Sequence, residues 1–431
     1  MKIDEHLAAS LPDPDEQAIY ARVTRNILDA INEAIGSLNI DARPVLVGSV
    51  AKGTNLKGSD IDIFIAFSRK YNEKEIENYG LRIGRSVLDP AMERFAEHPY
   101  VYGYVDGIKV DIVPCFDIMP GETKISSVDR TLLHTDYVNM NLDNTGKNEV
   151  RKLKVFFRSA GIYGSDVVTS GFSGYICELL ILNFGSFDET VTYFSTLKGR
   201  LLIPPDSGRK FPDATAVVID PTDNNRNAGA AISAEALSRA KIASKLYLEE
   251  GMECFRKSGK IPVDPVIRNT AFRVISFPRP DVSDDIVYTQ LVRVSKKVSS
   301  LAAEAGFNIL GTRIRLSESR MLILLEFDRA RVHSVVRHMG PPVENPNAID
   351  FVKKWRDAAR LRGPYISGDR IYVETKPKFT EIDDFLSIIL GHFSLGATLE
   401  RLRKMMEIDD PVGKRKYHRI LEEYLSEGLF G

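Results

Sequence analysis

The chain predicts an α+β multidomain fold, and three observations carry that reading. Near its start, short apolar runs of strand character alternate with amphipathic stretches at helical spacing. Residues 149–185 then turn helical. Beyond Ile261, prolines punctuate a passage after which strands and helices mix again. A chain of 431 residues has room for about two to four domains, each with its own core. The divisions fall at residues 1–145, a small sheet backed by helices; 146–262, a mostly helical centre; and 263–431, an α+β C-terminal body and tail.

Taken in order, Ile19, Val23, Ile27, Leu28, Ile31 and Ile35 recur at helical spacing and predict a long amphipathic helix over residues 13–38. Residues 44–47 form a short apolar strand that Gly48 and Ser49 break. A polar, glycine-rich passage leads to Asp60-Ile61-Asp62, which opens a second apolar run over residues 63–67. Residues 73–96 read as a helix, and 100–114 as a hairpin turning at Asp106-Gly107. Helices on one sheet face would leave the other for a site. Residues 130–141 follow, and then the helical stretch, with Lys152, Lys154 and Arg158 on a basic ridge, Tyr163 in a glycine-flanked loop and a further helix over 174–183. After Pro262, Pro265, Pro278 and Pro280 the readings are a strand at 272–277, a helix at 284–305, paired strands at 307–316 and 321–327, a helix at 348–360, a strand at 371–374 and closing helices after Thr380. No internal repeat or low-complexity segment occurs.

The chemistry concentrates in residues 48–67, GSVAKGTNLKGSDIDIFIAF. On a strand, positions two apart share a face, so Asp60 and Asp62 point the same way, about 6.5 to 7 Å apart along the backbone. Two carboxylates at that spacing can hold hard divalent cations. Asp-x-Asp alone is common, and a solvated strand edge is its ordinary meaning. A third acid distinguishes this chain. In GIKVDIVPCF, Ile108, Val110 and Ile112 alternate with Lys109, Asp111 and Val113, so Asp111 projects from the face opposite the apolar set.

Composition bounds the rest. Hydrophobic content of 43% and charged content of 27% are those of an ordinary globular protein. No apolar run reaches the length of a membrane span, and the polar, acidic start is unlike a signal peptide. Cys115, Cys177 and Cys254 lie far apart in apolar contexts, giving neither zinc spacing nor a disulfide framework. A cytoplasmic location is expected. With 58 basic and 59 acidic residues the net charge is −1, which disfavours a nucleic-acid partner unless the charges segregate by surface. Basic clusters occur at Arg313, Arg315 and Arg320; at Arg356, Arg360 and Arg362; at Arg401, Arg403 and Lys404; and over Lys414, Arg415 and Lys416.

Gly-Ser, then Asp-x-Asp, then a lone Asp resembles the signature of the nucleotidyltransferase superfamily, with its polymerase beta-like catalytic head, to which poly(A) polymerases, oligoadenylate synthases and CCA-adding enzymes belong. Residues 153–187, LKVFFRSAGIYGSDVVTSGFSGYICELLILNFGSF, and residues 220–233, DPTDNNRNAGAAIS, narrow the resemblance to the archaeal, class I CCA-adding enzymes, together with RTLLHTDYV. The match runs in order from Gly48 to Ser233. It implies a template-independent tRNA nucleotidyltransferase that builds and repairs the 3′-terminal CCA from CTP and ATP by two-metal phosphoryl transfer with Mg²⁺. Asp60, Asp62 and Asp111 then correspond to the catalytic metal ligands. Ser49 and Lys52 correspond to triphosphate contacts, His134, Lys154 and Tyr163 to further nucleotide contacts, and Arg226 to the arginine that helps present the base-selecting edge. The family often has Glu at the first metal position, where this chain has the shorter Asp60, and Pro-Arg before the specificity arginine, where it has Asn224-Asn225. The body and tail would hold the acceptor and TψC arms of tRNA, with no membrane partner and with a homodimer left open. The alternatives are a poly(A) polymerase or oligoadenylate synthase, against which the central motifs stand, and a catalytically silent RNA-binding protein, which would be expected to have lost one of the three acids.

Overall fold

The computed structural model describes residues 3–95, 99–118, 128–256 and 268–429. Its contacts divide into two compact units, Met1–Lys257 with Gly428–Gly431, and Ser258–Glu427. The proline-rich passage at Pro262 and Pro265 lies outside the described residues.

The first unit opens with α1 (Ile3–Ser10) and α2 (Pro14–Leu38). Asp13 caps α2 by accepting from the Glu16 amide, and Pro14 suits the first helical position. A five-stranded sheet follows, built from β1 (Ala42–Val47), β2 (Ile61–Phe67), β3 (Met92–Phe95), β4 (Pro99–Val105) and β5 (Ile108–Phe116), in the order β1-β2-β5-β4-β3. The β2–β5 pair alone is parallel; the others are antiparallel. The short α3 (Gly48–Lys52) leaves β1, and α4 (Glu73–Val87) leaves β2. Val23, Ile27 and Ile31 of α2 and Ile76 and Ile83 of α4 bury against Ile61, Ile63, Ile65, Val110 and Ile112 on one sheet face. The opposite face is not left bare. Phe64, Ala66 and Cys115 pack there under Leu132 of α5 (Arg130–Asn141), and the acids stand at the strand beginnings beyond that patch.

The helix expected over 73–96 stops at Val87, because Asp89-Pro90 cannot continue it, and residues 92–95 pair with β4 instead. The helical centre consists of α6 (Asn144–Ser159), α7 (Gly174–Phe184), α8 (Phe187–Thr196) and α9 (Ala234–Glu250) around Phe156, Phe157, Phe172 and Phe194. A small sheet of β6 (Leu201–Ile203), β7 (Ala216–Asp220) and β8 (Asp223–Asn227) is inserted before α9.

In the second unit, β9 (Ala271–Pro278), β10 (Ile309–Leu316), β11 (Arg320–Phe327) and the short β15 (Glu407–Asp409) form one sheet in the order β10-β11-β9-β15. Helix α10 (Asp284–Ala305) covers one face with Val287, Leu291, Val294 and Val298, joined by α12 (Ile382–Ile389) and α13 (Ala397–Leu402). Tyr417 and, from α14 (His418–Leu425), Ile420 and Leu421 cover the other. A second sheet, β12 (Val336–Pro342), β14 (Arg370–Thr375) and β13 (Arg362–Ser367), packs with α11 (Ala348–Arg356). Helix α11 is thus one turn shorter than the expected 348–360.

Candidate active site

Two of the three acids come together through strand register. Asp62 lies directly opposite Asp111 across the parallel β2–β5 pair, and Asp60 immediately precedes β2 rather than lying on it. Asp62 is squeezed against the turn after β1: a Cβ on Gly48 would stand 2.2 Å from Asp62 Oδ2, and Gly48 has φ +73°. Only glycine tolerates that position. Burial, then the nearby charges of Asp111 and Asp60, raise the Asp62 carboxyl to about 7. Burial likewise raises Asp111, against the opposing pull of Lys109.

The Lys109 ammonium lies 3.0 Å from Asp60 Oδ2 and 2.5 Å from Asp111 Oδ2. Burial works against its charge, but the hydrogen bonds to both carboxylates hold its pKa above the usual lysine range. Among the described residues no three acidic, imidazole or thiol groups are already converged as a metal cluster, and this ammonium bridges two of the acids. The donor set nevertheless fits a hard divalent cation. Three carboxylates share one end of the sheet, Asp111 Oδ1 is buried without a hydrogen-bond partner, and one monovalent ammonium offsets them.

Ser49 is the second residue of α3, whose N-cap residue, Val47, makes no side-chain cap, so the first amides of the turn have no side-chain acceptor. Lys52 ends it and turns inward: its Nζ lies 2.6 Å from Glu178 Oε2 and is almost fully buried. Lys154 donates to the Thr54 carbonyl at 2.9 Å and to Thr54 Oγ1 at 3.1 Å, with Glu178 Oε1 at 3.7 Å. Its side chain is 1% exposed, and burial, partly opposed by Glu178, lowers its pKa. Both lysines therefore form a buried floor with Thr54 and Glu178. Tyr163 is half-buried beside them, its hydroxyl and the Lys154 amine both facing the Cα of Gly174 at the start of α7.

A second group continues from this floor. Lys52 Nζ lies 5.6 Å from the Tyr175 ring centre, and Tyr175 stacks on His134 with centroids 3.9 Å apart. His134 Nε2 meets Asp220 Oδ2 at 2.8 Å, and Arg226 Nη1 donates to the same oxygen at 2.9 Å. Burial would raise the Asp220 carboxyl, yet hydrogen bonds from His134 and Thr222 hold it below the usual carboxylate range. An ionised Asp220 requires the proton on His134 Nε2, so that tautomer is assigned from its partner. Burial also lowers the His134 pKa, which keeps the imidazole neutral near pH 7 and makes Nδ1 an acceptor.

Apart from Ser49, on α3, the predicted residues thus fall into two sets. Asp60, Asp62 and Asp111 meet at the sheet end, while Lys52, Lys154, Tyr163, His134 and Arg226 line a connected track from α3 to β8. Sequence reasoning missed Lys109, Thr54, Tyr175, Glu178 and Asp220. Two signals were available: Lys109 is two positions from Asp111 on one strand face, and Glu178 is the lone charge in the apolar run GYICELLILNF.

Three family models match consecutive parts of the chain: "Nucleotidyltransferase domain" over residues 28–134, "tRNA nucleotidyltransferase, second domain" over 148–256 and "CCA-adding enzyme, C-terminal domain" over 268–409. The CCA-adding enzyme of Picrophilus torridus is 44% identical over 423 residues, covering 97% of this chain and 97% of that protein. That of Thermoplasma acidophilum is 42% identical over 429 residues, covering 99% and 98%, and that of Haloarcula marismortui is 36% identical, covering 88% and 87%. Among solved structures, a cytoplasmic RNA terminal U-transferase is 14% identical with a TM-score of 0.46, covering 61% of this chain and 98% of that one.

Proposed function

Because the chain belongs to the CCA-adding enzymes, a tRNA nucleotidyltransferase family, we propose that Asp60, Asp62 and Asp111 hold its catalytic metal and that the track from Lys52 to Arg226 receives the nucleotide. The chain adds CCA to tRNA. Neither a poly(A) polymerase nor an oligoadenylate synthase is favoured by relatives of this coverage. The observation that supports the site reading best is the Asp62–Asp111 pair, in register on neighbouring strands and carrying more negative charge than Lys109 can offset.

Nucleotidyltransferases use divalent cations, and Mg²⁺ is the ion we assign; when bound it lowers the pKa of the attacking 3′-hydroxyl and neutralises charge on the departing pyrophosphate. The protein's own groups do the positioning. Ser49 and the amides opening α3 meet the terminal phosphates, with Lys52 supplying charge beneath them. Glu178 keeps Lys52 and Lys154 aligned as a floor, so that their charge acts on the triphosphate without side-chain reorganisation. Tyr163 borders that floor, the neutral His134 accepts from the nucleotide through Nδ1, and the outer edge of Arg226 faces the base. The three segments 1–145, 146–262 and 263–431 act as catalytic head, pocket-completing neck, and body and tail that hold the acceptor and TψC arms. No described helix is long and apolar enough to cross a membrane; we place the enzyme in the cytoplasm, and sedimentation equilibrium reads whether it forms a homodimer.

The test supplies a tRNA ending at its discriminator base with Mg²⁺ and with CTP, ATP, GTP or UTP singly and together, and reads product lengths on a sequencing gel. A pocket that checks each base against protein groups should add two residues with CTP alone, one more once ATP is present, and then stop. A long ladder with ATP alone, or short products made without the tRNA end, overturns the reading.

A further inference from the structure

We propose that Asp220 is the positioning residue that sets which nucleotide the site accepts, by fixing Arg226 and His134 in one frame so that neither moves independently. The proposal rests on the assignment of those two residues to the nucleotide, made above. Asp220 ends β7 and is fully buried. Its Oδ2 takes His134 Nε2 at 2.8 Å and Arg226 Nη1 at 2.9 Å. Its Oδ1 takes the Tyr175 hydroxyl at 3.0 Å, the Thr222 amide at 2.9 Å and the Thr222 hydroxyl at 2.8 Å. A buried carboxylate is tolerated when its oxygens are satisfied, and one counter-ion with local turn amides would suffice for that. Here, beyond the local Thr222 turn, three further partners come from α5, α7 and β8, and they are groups whose outer edges border the track. The Arg226 side chain is one-third exposed; among the described residues no other hydrogen bond holds its guanidinium, so Nη1 is its anchor.

That anchoring carries chemical information. A guanidinium is planar, so fixing one nitrogen restricts where the other donors lie. Cytosine and adenine each present a ring-nitrogen acceptor beside an exocyclic amine, whereas uracil presents a ring N–H beside a carbonyl. A donor held at one place favours the first pattern and meets the uracil N–H head-on. Released from Asp220, the same long side chain can swing to the uracil carbonyl, and discrimination falls while catalysis by the three acids persists.

The experiment measures kcat/KM for single additions of CTP and UTP to a tRNA ending at its discriminator base, with tRNA affinity and melting temperature recorded for each variant. Asp220→Asn, which keeps the shape and removes the charge, should raise the UTP:CTP ratio about tenfold or more while tRNA affinity stays within about twofold. Joined to Arg226→Ala it should worsen the ratio no further than Arg226→Ala alone, because both act through one guanidinium. A native ratio in Asp220→Asn, beside a lost ratio in Arg226→Ala, overturns the role of Asp220 while leaving the site reading intact; multiplicative effects in the double variant overturn it too. If Arg226→Ala itself keeps the native ratio, the reading of Arg226 fails and the proposal with it. Should Asp220→Asn not fold, Thr222→Val removes one donor at nearly constant size and should raise the ratio about twofold; a native ratio there also overturns the proposal.

Discussion

Asp62 faces Asp111 across a parallel strand pair, and burial with like charge lifts its carboxyl from 3.8 to about 7. The folded protein therefore binds this proton more tightly than the unfolded chain does. Metal-free protein should accordingly lose stability as pH rises from about 4 to about 7 and then level off. Asp62→Asn removes that slope, so its melting temperature without metal should exceed the parent's at pH 8, while incorporation falls on the order of 10³-fold. Equal melting temperatures at pH 8 would sink the electrostatic account, and near-native incorporation would sink the metal assignment. Divalent-cation affinity needs the ionised carboxylate and should climb through pH 7 before flattening. Asp62 and Asp111 were legible because strand periodicity is a local signal, and Asp60 because it adjoins the same strand. Glu178 and Asp220 were not, since each acts on a residue far away in sequence: Lys52 is 126 positions from Glu178, and His134 is 86 from Asp220. Glu178 stands out locally as the lone charge of an apolar run, but nothing near either residue names its partner until the fold joins them.

Helix α4 lies close on the sheet because two of its glycines face it. A Cβ on Gly80 would stand 2.7 Å from Pro114 Cβ, and one on Gly84 would stand 2.6 Å from Val101 Cβ. Gly84→Ala should therefore cost about 1–3 kcal/mol in urea unfolding, despite the better helix propensity of alanine. Gly36 of α2 has open space around its Cα, so Gly36→Ala should instead gain about 0.5–1 kcal/mol. The same sign for both would contradict the close approach. Periodicity locates most long elements, including α2, α10 and the β4–β5 hairpin, because each buries a continuous apolar face. Helix α4 is shorter than its periodicity predicts because apolar spacing continues past the break at Asp89-Pro90. The strands β12 and β13 escape the sequence pattern for a related reason: Gly340-Pro341-Pro342 and Gly363-Pro364 interrupt the alternation, and both strands pair with register shifts.

At the scale of the whole molecule, a net charge of −1 must still leave a surface for an RNA polyanion, and ion pairing decides which basic residues are free to form it. Most of the clusters that stand out in sequence are already paired within the second unit. Arg313 meets Glu427, Arg315 meets Glu423, Arg320 meets Glu407, Arg362 meets Glu374, Arg403 meets Glu400, and Lys414 and Lys416 both meet Asp409. Arg360 is engaged by backbone carbonyls. Arg401, Lys404 and Arg415 have no carboxylate partner among the described residues, and the last turn of α11 groups three more such cations, Lys353, Lys354 and Arg356. On the neighbouring β12, Arg337 lies 3.8 Å from the Tyr372 ring centre. Cations beside half-buried aromatic rings suit a phosphate backbone and unstacked bases. Replacing Lys353, Lys354 and Arg356 together by alanine should weaken tRNA binding and flatten the dependence of log K on log salt by about two units, because each phosphate that a cation neutralises adds somewhat under one unit to that slope. CTP binding should be unaffected. Arg315→Ala should do the reverse, lowering the melting temperature by depriving Glu423 of a charged partner while leaving the salt slope in place. An unchanged slope in the triple variant, or a flattened one in Arg315→Ala, would move the tRNA-binding surface away from α11 and back to the clusters that are paired in this structure.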